Sequence, residues 1–455
     1  MSNDPTLRPR DHFTPRRGWL NDPNGLIHHD GEFHLFFQHH PHALVHGPIS
    51  WGHAVSADLV DWTELPTALL ATDEEHVWSG SVVHDASHDR LVAAYTAFDP
   101  ATGRQAQSLA FSTDRGRTWV PHPGNPVLDV GSTSFRDPKV FRHGDGWAMV
   151  VVRADDRTVD LYRSPDLLAW THHSIFGPEG SVEGVWECPD VVTVPVESTG
   201  DTADVLLVSV SAGAPAGGSG MQYFVGELTE AGFRSTQPAR WLDHGPDCYA
   251  AVSYTDAPGE EPVIQGWMSN WLYADTVPAT DFRGSMTVAR RLTLRRRGSD
   301  LVLVQRPVVR PGEVRCSLEE VDVAGERPLP VVARSCRVVA DLEAGTAQRF
   351  GLHLRVGDGE RTTVAVDPDA LTVSVDRTAA GEATHPAFAA LHAAPLPDAD
   401  VVRLEVVVDM TSVEVFVGGG EVVLTEQVFP DPASTGISVF AEGGTARIHT
   451  LSVVE

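Results

Sequence analysis

The stretch Ser56-Ala57-Asp58-Leu59-Val60-Asp61-Trp62 returns as Ser164-Pro165-Asp166-Leu167-Leu168-Ala169-Trp170. Between them lies Ser112-Thr113-Asp114-Arg115-Gly116-Arg117-Thr118-Trp119, one residue longer and with a glycine. The steps are 56 and 52 residues. Each unit offers Ser and Asp side chains that cap a tight turn, then an aromatic that anchors the following strand. Around these units helical periodicity is weak. Short apolar runs bounded by Gly, Asp, Pro and Ser dominate, as in Leu91–Tyr95, Trp147–Val151 and Val205–Val210. Leu26–His29, Asp30-Gly31 and Glu32–Phe37 read as a hairpin with a type I′ turn. The chain is predicted to be all-β.

A second series has the same period: Asp22, Trp78-Ser79-Gly80-Ser81, Asp137, Glu187 and Pro246-Asp247-Cys248-Tyr249-Ala250. Units of this length, each a small antiparallel sheet, predict the blades of a propeller, and the second series counts five. Innermost strands of a propeller surround one axis, so Asp22, Asp137 and Glu187 are expected around a single pit. The propeller is predicted over 1–305. Gln305–Gly312 reads as a linker, and 313–455 as a β-sandwich, from the period-2 alternation of Arg403–Asp409, Ser412–Val417 and Val422–Leu424. The sandwich is expected to pack against the propeller for stability, with carbohydrate binding as the second reading.

Bulk properties narrow the function. The 455 residues suffice for two domains and 42% of them are hydrophobic, which makes the chain globular. A formal net charge of -28 disfavours nucleic acid or an anionic membrane as partner and favours a neutral substrate. No run of about 18 apolar residues is present to span a membrane. Met1–Arg10 is polar and lacks the apolar core of an export signal, so the expected location is cytoplasmic. Cys188, Cys248, Cys316 and Cys336 form no C-x-x-C pair and are expected as free thiols. The histidines between His28 and His53 show no zinc-ligand spacing, so neither metal nor cofactor is implied.

Two carboxyl groups facing one bond are the equipment of glycosidic cleavage. Asp22 stands before Pro23-Asn24-Gly25, which reads as a turn, and is expected to be held ionised by Asn21 and turn N–H groups. Glu187, beside Trp186 and Pro189 and near a like charge, is expected with a raised pKa as the proton donor. Asp137, flanked by Arg136, is expected ionised, holding substrate hydroxyls and stabilising positive charge on the ring. Asn21, Gln38, Ser79 and Arg136 suit sugar hydroxyls. Trp19, Trp51, Trp78, Trp186, Trp267 and Trp271 lie in or beside the motif stretches, where aromatic faces pack on sugars. Trp19, Trp78 and Trp271 are favoured for the pit, whereas Trp62, Trp119 and Trp170 are read as core.

Trp19-Leu20-Asn21-Asp22-Pro23-Asn24-Gly25, Phe135-Arg136-Asp137-Pro138 and Trp186-Glu187-Cys188-Pro189-Asp190 together resemble glycoside hydrolase family 32, the β-fructosidases. Trp51-Gly52-His53-Ala54-Val55-Ser56, Trp78-Ser79-Gly80-Ser81 and Asp247-Cys248-Tyr249-Ala250 extend the resemblance over nearly the whole chain after Arg10. It implies a five-bladed propeller followed by a β-sandwich, and hydrolysis with retention of configuration. By the same resemblance Asp22 is the nucleophile, Glu187 the general acid/base and Asp137 the transition-state stabiliser. Asn21, Gln38, Trp51, Trp78, Ser79, Arg136 and Trp271 are implied around the fructosyl unit, with Asp247 a carboxylate near it. Gly266–Ala274 and Phe282–Thr287 are similar to exo-acting levanases and inulinases. His40 stands where Asn is usual, and His46 where many members carry Trp. The substrate expected is a terminal β-fructofuranoside in sucrose, oligosaccharides or β-fructans. Fructosyl transfer, a sucrose-specific invertase and a non-catalytic carbohydrate-binding propeller are the alternatives.

Overall fold

The Ser-x-Asp stretches turn because their own side chains supply the bonds. In the computed structural model, which describes residues 7–455, Ser56 Oγ accepts the Leu59 N–H at 2.9 Å. Asp58 Oδ1 accepts the N–H groups of Val60 at 2.9 Å and Asp61 at 2.8 Å. Leu59 is thereby held at φ 69°, and the Trp62 indole closes the turn by donating to Leu59 O at 3.2 Å. Ser164, Asp166, Leu167 and Trp170 repeat the pattern, with Leu167 at φ 71°. In the longer copy Gly116 takes the left-handed position at φ 75°, which costs a glycine least. The first six residues of the polar Met1–Arg10 stretch lie outside the described residues.

Each of these turns leads from the third strand of a blade to its fourth. Five antiparallel sheets follow in chain order, and among the described residues there is no α-helix. Their innermost strands are Gly18–His29, His76–Asp85, Phe135–His143, Trp186–Pro195 and Tyr249–Ser253, each touching the next, and the fifth touching the first. Phe282–Arg283 from the last blade pairs in parallel with Gly18 and Trp19, which latches the ring shut. Asp30 at φ 49° and Gly31 at φ 82° form the expected hairpin turn between Gly18–His29 and Glu32–His40.

Two expectations about segment ends change. Asp22-Pro23-Asn24-Gly25 is not a surface turn but lies inside Gly18–His29, a strand buried over ten of its twelve residues. Gln305, Arg306 and Pro307 belong to the strand Asp300–Pro307, because Gln305 is 2% exposed and bonded to the Arg290 guanidinium at 2.9 Å. The connection is therefore shorter, over residues 308–313.

The second domain is built on two 19-residue strands, Val314–Val332 and Gly436–Val454, which pair with each other. The first part of Gly436–Val454 pairs with Arg349–Val356 and the last part with Cys336–Glu343. One strand thus serves both layers of a sandwich, and the core between them is aliphatic, with Val338, Leu352, Val364, Leu404, Val415 and Ile448 fully buried. Cys316 and Cys336 are buried free thiols.

Charged side chains cross the domain junction in the dry interior. Arg290 of the fifth blade, 1% exposed, donates to Asp243 at 3.0 Å and to Glu414 of the sandwich at 2.6 Å. His12 bridges Asp409 and Glu414 at 2.8 Å each. Burial alone would lower the His12 pKa, but those two carboxylates outweigh it and raise it to about 10. Removing one partner of such a pair strands the other, which costs about 3–5 kcal/mol. Arg290→Met is therefore expected to lower the urea midpoint by a stability loss of about that size. An unchanged midpoint would show that the junction does not depend on this cation.

Candidate active site

All five innermost strands carry the same irregularity. Register with the second strand slips between Leu20 and Pro23, Val77 and Gly80, Arg136 and Lys139, Glu187 and Asp190, and Tyr249 and Val252. In every case three steps on the inner strand face two on its partner, so each strand holds an extra residue at this level, a β-bulge, and Gly18–His29 holds a second between Asn24 and Ile27. Asp137 at φ 64°, Cys188 at φ 47° and Ala250 at φ 52° occupy the same place in their bulges. A bulge re-aims side chains, and here it turns them onto the axis. The three acids are not equivalent positions, as the period alone suggested. Asp22 is the third residue of its bulge, Asp137 the second and Glu187 the first.

Asp22 sits on the floor, 7% exposed. Its Oδ2 accepts from Ser79 Oγ at 2.6 Å and Gln38 Nε2 at 3.1 Å, and its Oδ1 from Asn21 Nδ2 at 3.1 Å. The Trp19 indole donates to Asn21 Oδ1 at 2.8 Å, and Asn21 in turn donates to Gln38 Oε1 at 2.9 Å. Side-chain donors thus fix the carboxylate, the expected Asn21 among them.

Asp137 Oδ2 accepts the Cys188 N–H at 3.0 Å. The Cys188 thiol lies 3.5 Å from Asp22 Oδ2 and 3.7 Å from Asp137 Oδ2, bridging the two acids. Burial and the surrounding carboxylates push its pKa well up, so it stays a thiol.

Glu187 is the accessible member, with its side chain 23% exposed. Arg136 Nη2 donates to its Oε1 at 3.0 Å, and the Tyr249 hydroxyl donates to Oε2. Arg136 also stands 3.8 Å from Asp137 Oδ2, and Gln105 Oε1 accepts from it at 3.4 Å. One guanidinium thus serves two carboxylates.

Burial raises the pKa of both aspartates, against their hydrogen bonds and Arg136. For Asp22, burial outweighs the Ser79 hydrogen bond, and with the Glu187 charge it raises the pKa to about 6. For Asp137, burial exceeds the help from Arg136, and the charges of Glu187 and Asp22 push the same way, upward. The pit therefore concentrates negative charge where burial disfavours it.

Of the residues singled out from sequence, Asn21, Asp22, Gln38, Ser79, Arg136, Asp137 and Glu187 meet at this floor. Trp78 is half-buried, stacked on Phe98 with centroids 4.1 Å apart. Trp271 is 37% exposed and stacks on Trp19 at 6.2 Å, with His46 5.8 Å away. Trp51 does not reach the pit. It is fully buried in the core between the first two blades, and its indole donates to Trp78 O at 2.9 Å, which makes it a support for Trp78. Trp19 is likewise fully buried and offers no free face. Asp247 belongs to the domain junction: it is fully buried and its oxygens accept from Tyr273 Oη at 2.7 Å, Arg377 Nη1 at 2.7 Å and Gln427 N at 2.8 Å. His40 turns away, with Nδ1 3.0 Å from Val45 O.

Sequence reading missed Tyr249, Cys188 and Lys139. Lys139, the only lysine in the chain, starts on the third blade. Its Nζ donates to Asp190 of the fourth at 3.1 Å and to Ser253 O of the fifth at 2.7 Å. To reach the fifth blade from the third it must cross the axis, so it closes the channel beneath the acids. The signal available was its place two residues after Asp137, in the same bulge.

The raised carboxyl pKa values have a stability consequence. A carboxyl whose pKa is higher folded than unfolded lets the native state bind more protons, so stability falls as pH rises through the window between the two values. Asp137→Asn removes that penalty. Its denaturation midpoint relative to wild type is expected to rise between pH 5 and pH 7.5. A difference that stayed flat or reversed would show that Asp137 is not destabilised by burial.

A family model for glycosyl hydrolases family 32, N-terminal domain, matches residues 12–307, and one for the family 32 C-terminal domain matches 313–455. A levanase of Bacillus subtilis is 39% identical over 483 residues, covering 99% of this chain and 70% of that one. The crystal structure of the exo-inulinase from Aspergillus awamori superposes with a TM-score of 0.95 at 34% identity, covering 100% of this chain and 99% of that one. A fructofuranosidase from Schwanniomyces occidentalis complexed with fructose gives 0.94 at 29% identity, with 100% and 99% covered. The chain belongs to glycosyl hydrolase family 32 and is a glycoside hydrolase.

Proposed function

We propose that the chain is a retaining exo-β-fructosidase that releases terminal β-D-fructofuranosyl units from levan- or inulin-type fructans, their oligosaccharides or sucrose. The observation that carries this reading is the pairing of two buried aspartates with a partly exposed glutamate. Asp22 lies at the bottom, held by Asn21, Gln38 and Ser79, while Glu187 lies higher and is partly exposed. Lys139 closes the axis below them. The levanase, exo-inulinase and fructofuranosidase relatives support the same reading.

In the first half-reaction Asp22 attacks the anomeric carbon of the terminal fructosyl unit. A carboxylate–carbon bond forms as the glycosidic bond breaks, and the Glu187 proton passes to the departing oxygen. In the second, Glu187 takes a proton from water. The water oxygen attacks the same carbon and the Asp22 carboxylate leaves, so configuration is retained. Arg136 and Asp137 bind ring hydroxyls, and the Asp137 carboxylate stabilises the positive charge that develops on the ring. Tyr249 and Arg136, donating to one Glu187 oxygen each, fix the orientation of that carboxyl group.

The test is fructose release from sucrose, kestose, inulin and levan by the wild type beside Asp22→Ala and Glu187→Ala. Each variant is expected to lose at least about 10³-fold in turnover. Near-normal activity of Asp22→Ala would overturn the assignment of the nucleophile. Wild-type release from sucrose alone would restrict the substrate to the disaccharide.

A further inference from the structure

The sandwich carries no catalytic acid, yet it reaches the aromatic side of the pit at one remove. Trp271 lies on a loop, residues 270–277, pinned on both sides of it. On the propeller side Asn270, fully buried, donates to Gly217 O at 3.0 Å and to Pro246 O at 2.9 Å, and its Oδ1 accepts the Leu272 N–H at 3.0 Å. On the other side Tyr273, 2% exposed, turns its hydroxyl into the domain junction. There it donates to Asp247 at 2.7 Å and accepts from Arg377 Nη2 at 3.0 Å.

Arg377 comes from the sandwich strand Thr372–Ala379 and is 1% exposed. Its other bonds hold it rigidly. It donates to Asp247 at 2.7 Å, stands 3.2 Å from Glu426 and lies over the Phe388 ring at 4.1 Å. Glu426 is itself paired with His392 at 2.9 Å. The Tyr273 ring packs on Phe388 with centroids 5.4 Å apart. Between these two anchors, only Trp271 at 37% and Leu272 at 46% are exposed.

Trp271 leans on Trp267 at 4.7 Å and on Trp19 at 6.2 Å. Trp19 in turn bonds Asn21, which holds Asp22. The loop therefore has one rigid stop in the propeller and one in the sandwich, and the indole face it presents depends on both.

We propose that Arg377 and Tyr273 are positioning residues that fix the Trp271 face. The sandwich thereby sets how tightly the fructoside is held, while the propeller performs the bond breaking. This rests on the β-fructosidase reading above. It deepens that reading by assigning substrate affinity to a domain without catalytic groups. An interaction made equally in ground and transition states changes KM and leaves kcat alone, and this separates the role from general destabilisation.

Tyr273→Phe removes one hydroxyl and keeps the ring on Phe388, so the protein is expected to fold. We expect it to raise KM for sucrose and kestose about three- to tenfold, the effect of one hydrogen bond, with kcat within about twofold. Trp271→Ala is expected to raise KM at least as much. In the Trp271→Ala background, Tyr273→Phe is expected to add less than about twofold, because the face it positions is gone. Arg377→Lys, which keeps the charge and loses the fork, is expected to shift KM in the same direction and lose its effect in the same background. An unchanged KM for Tyr273→Phe, or effects that multiply in the double variant, would overturn the inference while leaving an active wild type as a β-fructosidase. Absence of fructose release by the wild type would overturn both together.

Discussion

One extra residue in each innermost strand is the constraint from which the site follows. A regular antiparallel strand points successive side chains to opposite faces, so neighbours cannot both look down the axis. The bulge breaks that alternation at the same level in every blade. Asp22, Ser79, Asp137, Glu187 and Tyr249 thereby converge on one pit from five sheets. Three of the five bulges hold a non-glycine residue at positive φ. Such a conformation costs about 1–3 kcal/mol each and persists only where the surrounding fold imposes it.

The second cost is electrostatic. Asp22 and Asp137 are buried within reach of Glu187, with Arg136 as the nearest cation, and burial raises the pKa of both aspartates. The rest of the molecule offsets this with paired charge. Lys139 meets Asp190 beneath the floor, while Arg290 and Arg377 meet carboxylates across the domain junction. Those cations have excellent partners, and the acids in the pit are left underserved.

Much was legible because some contacts are local. Ser56, Asp58 and Trp62 bond within seven residues, so the turn and its repeats could be read directly, and with them the blade period and the all-β class. The Asp30-Gly31 hairpin has the same character. The three acids were legible by their spacing and by the motifs around them. Asp22-Pro23-Asn24-Gly25 misled because turn-forming residues also suit a bulge, and only the partner strand Glu32–His40 distinguishes the two. Trp19, Trp51 and Asp247 misled for a related reason: adjacency to a motif says nothing about which way a side chain points. Trp51 is claimed by Tyr95 and Trp78, and Asp247 by Arg377, 130 residues away.

The sequence by itself determined the repeating turns, the strand-rich character, the five-unit period and which acids recur with that period, since each depends on residues within a few positions or on a regular spacing. Tertiary structure decided which groups surround those acids and in what state they stand. That Cys188 lies between two aspartates, that Tyr249 bonds Glu187, that Lys139 crosses the axis, and that burial lifts the Asp22 pKa all depend on closing the ring of blades. Desolvation and convergence are properties of the closed ring, which brings together side chains that local sequence leaves far apart.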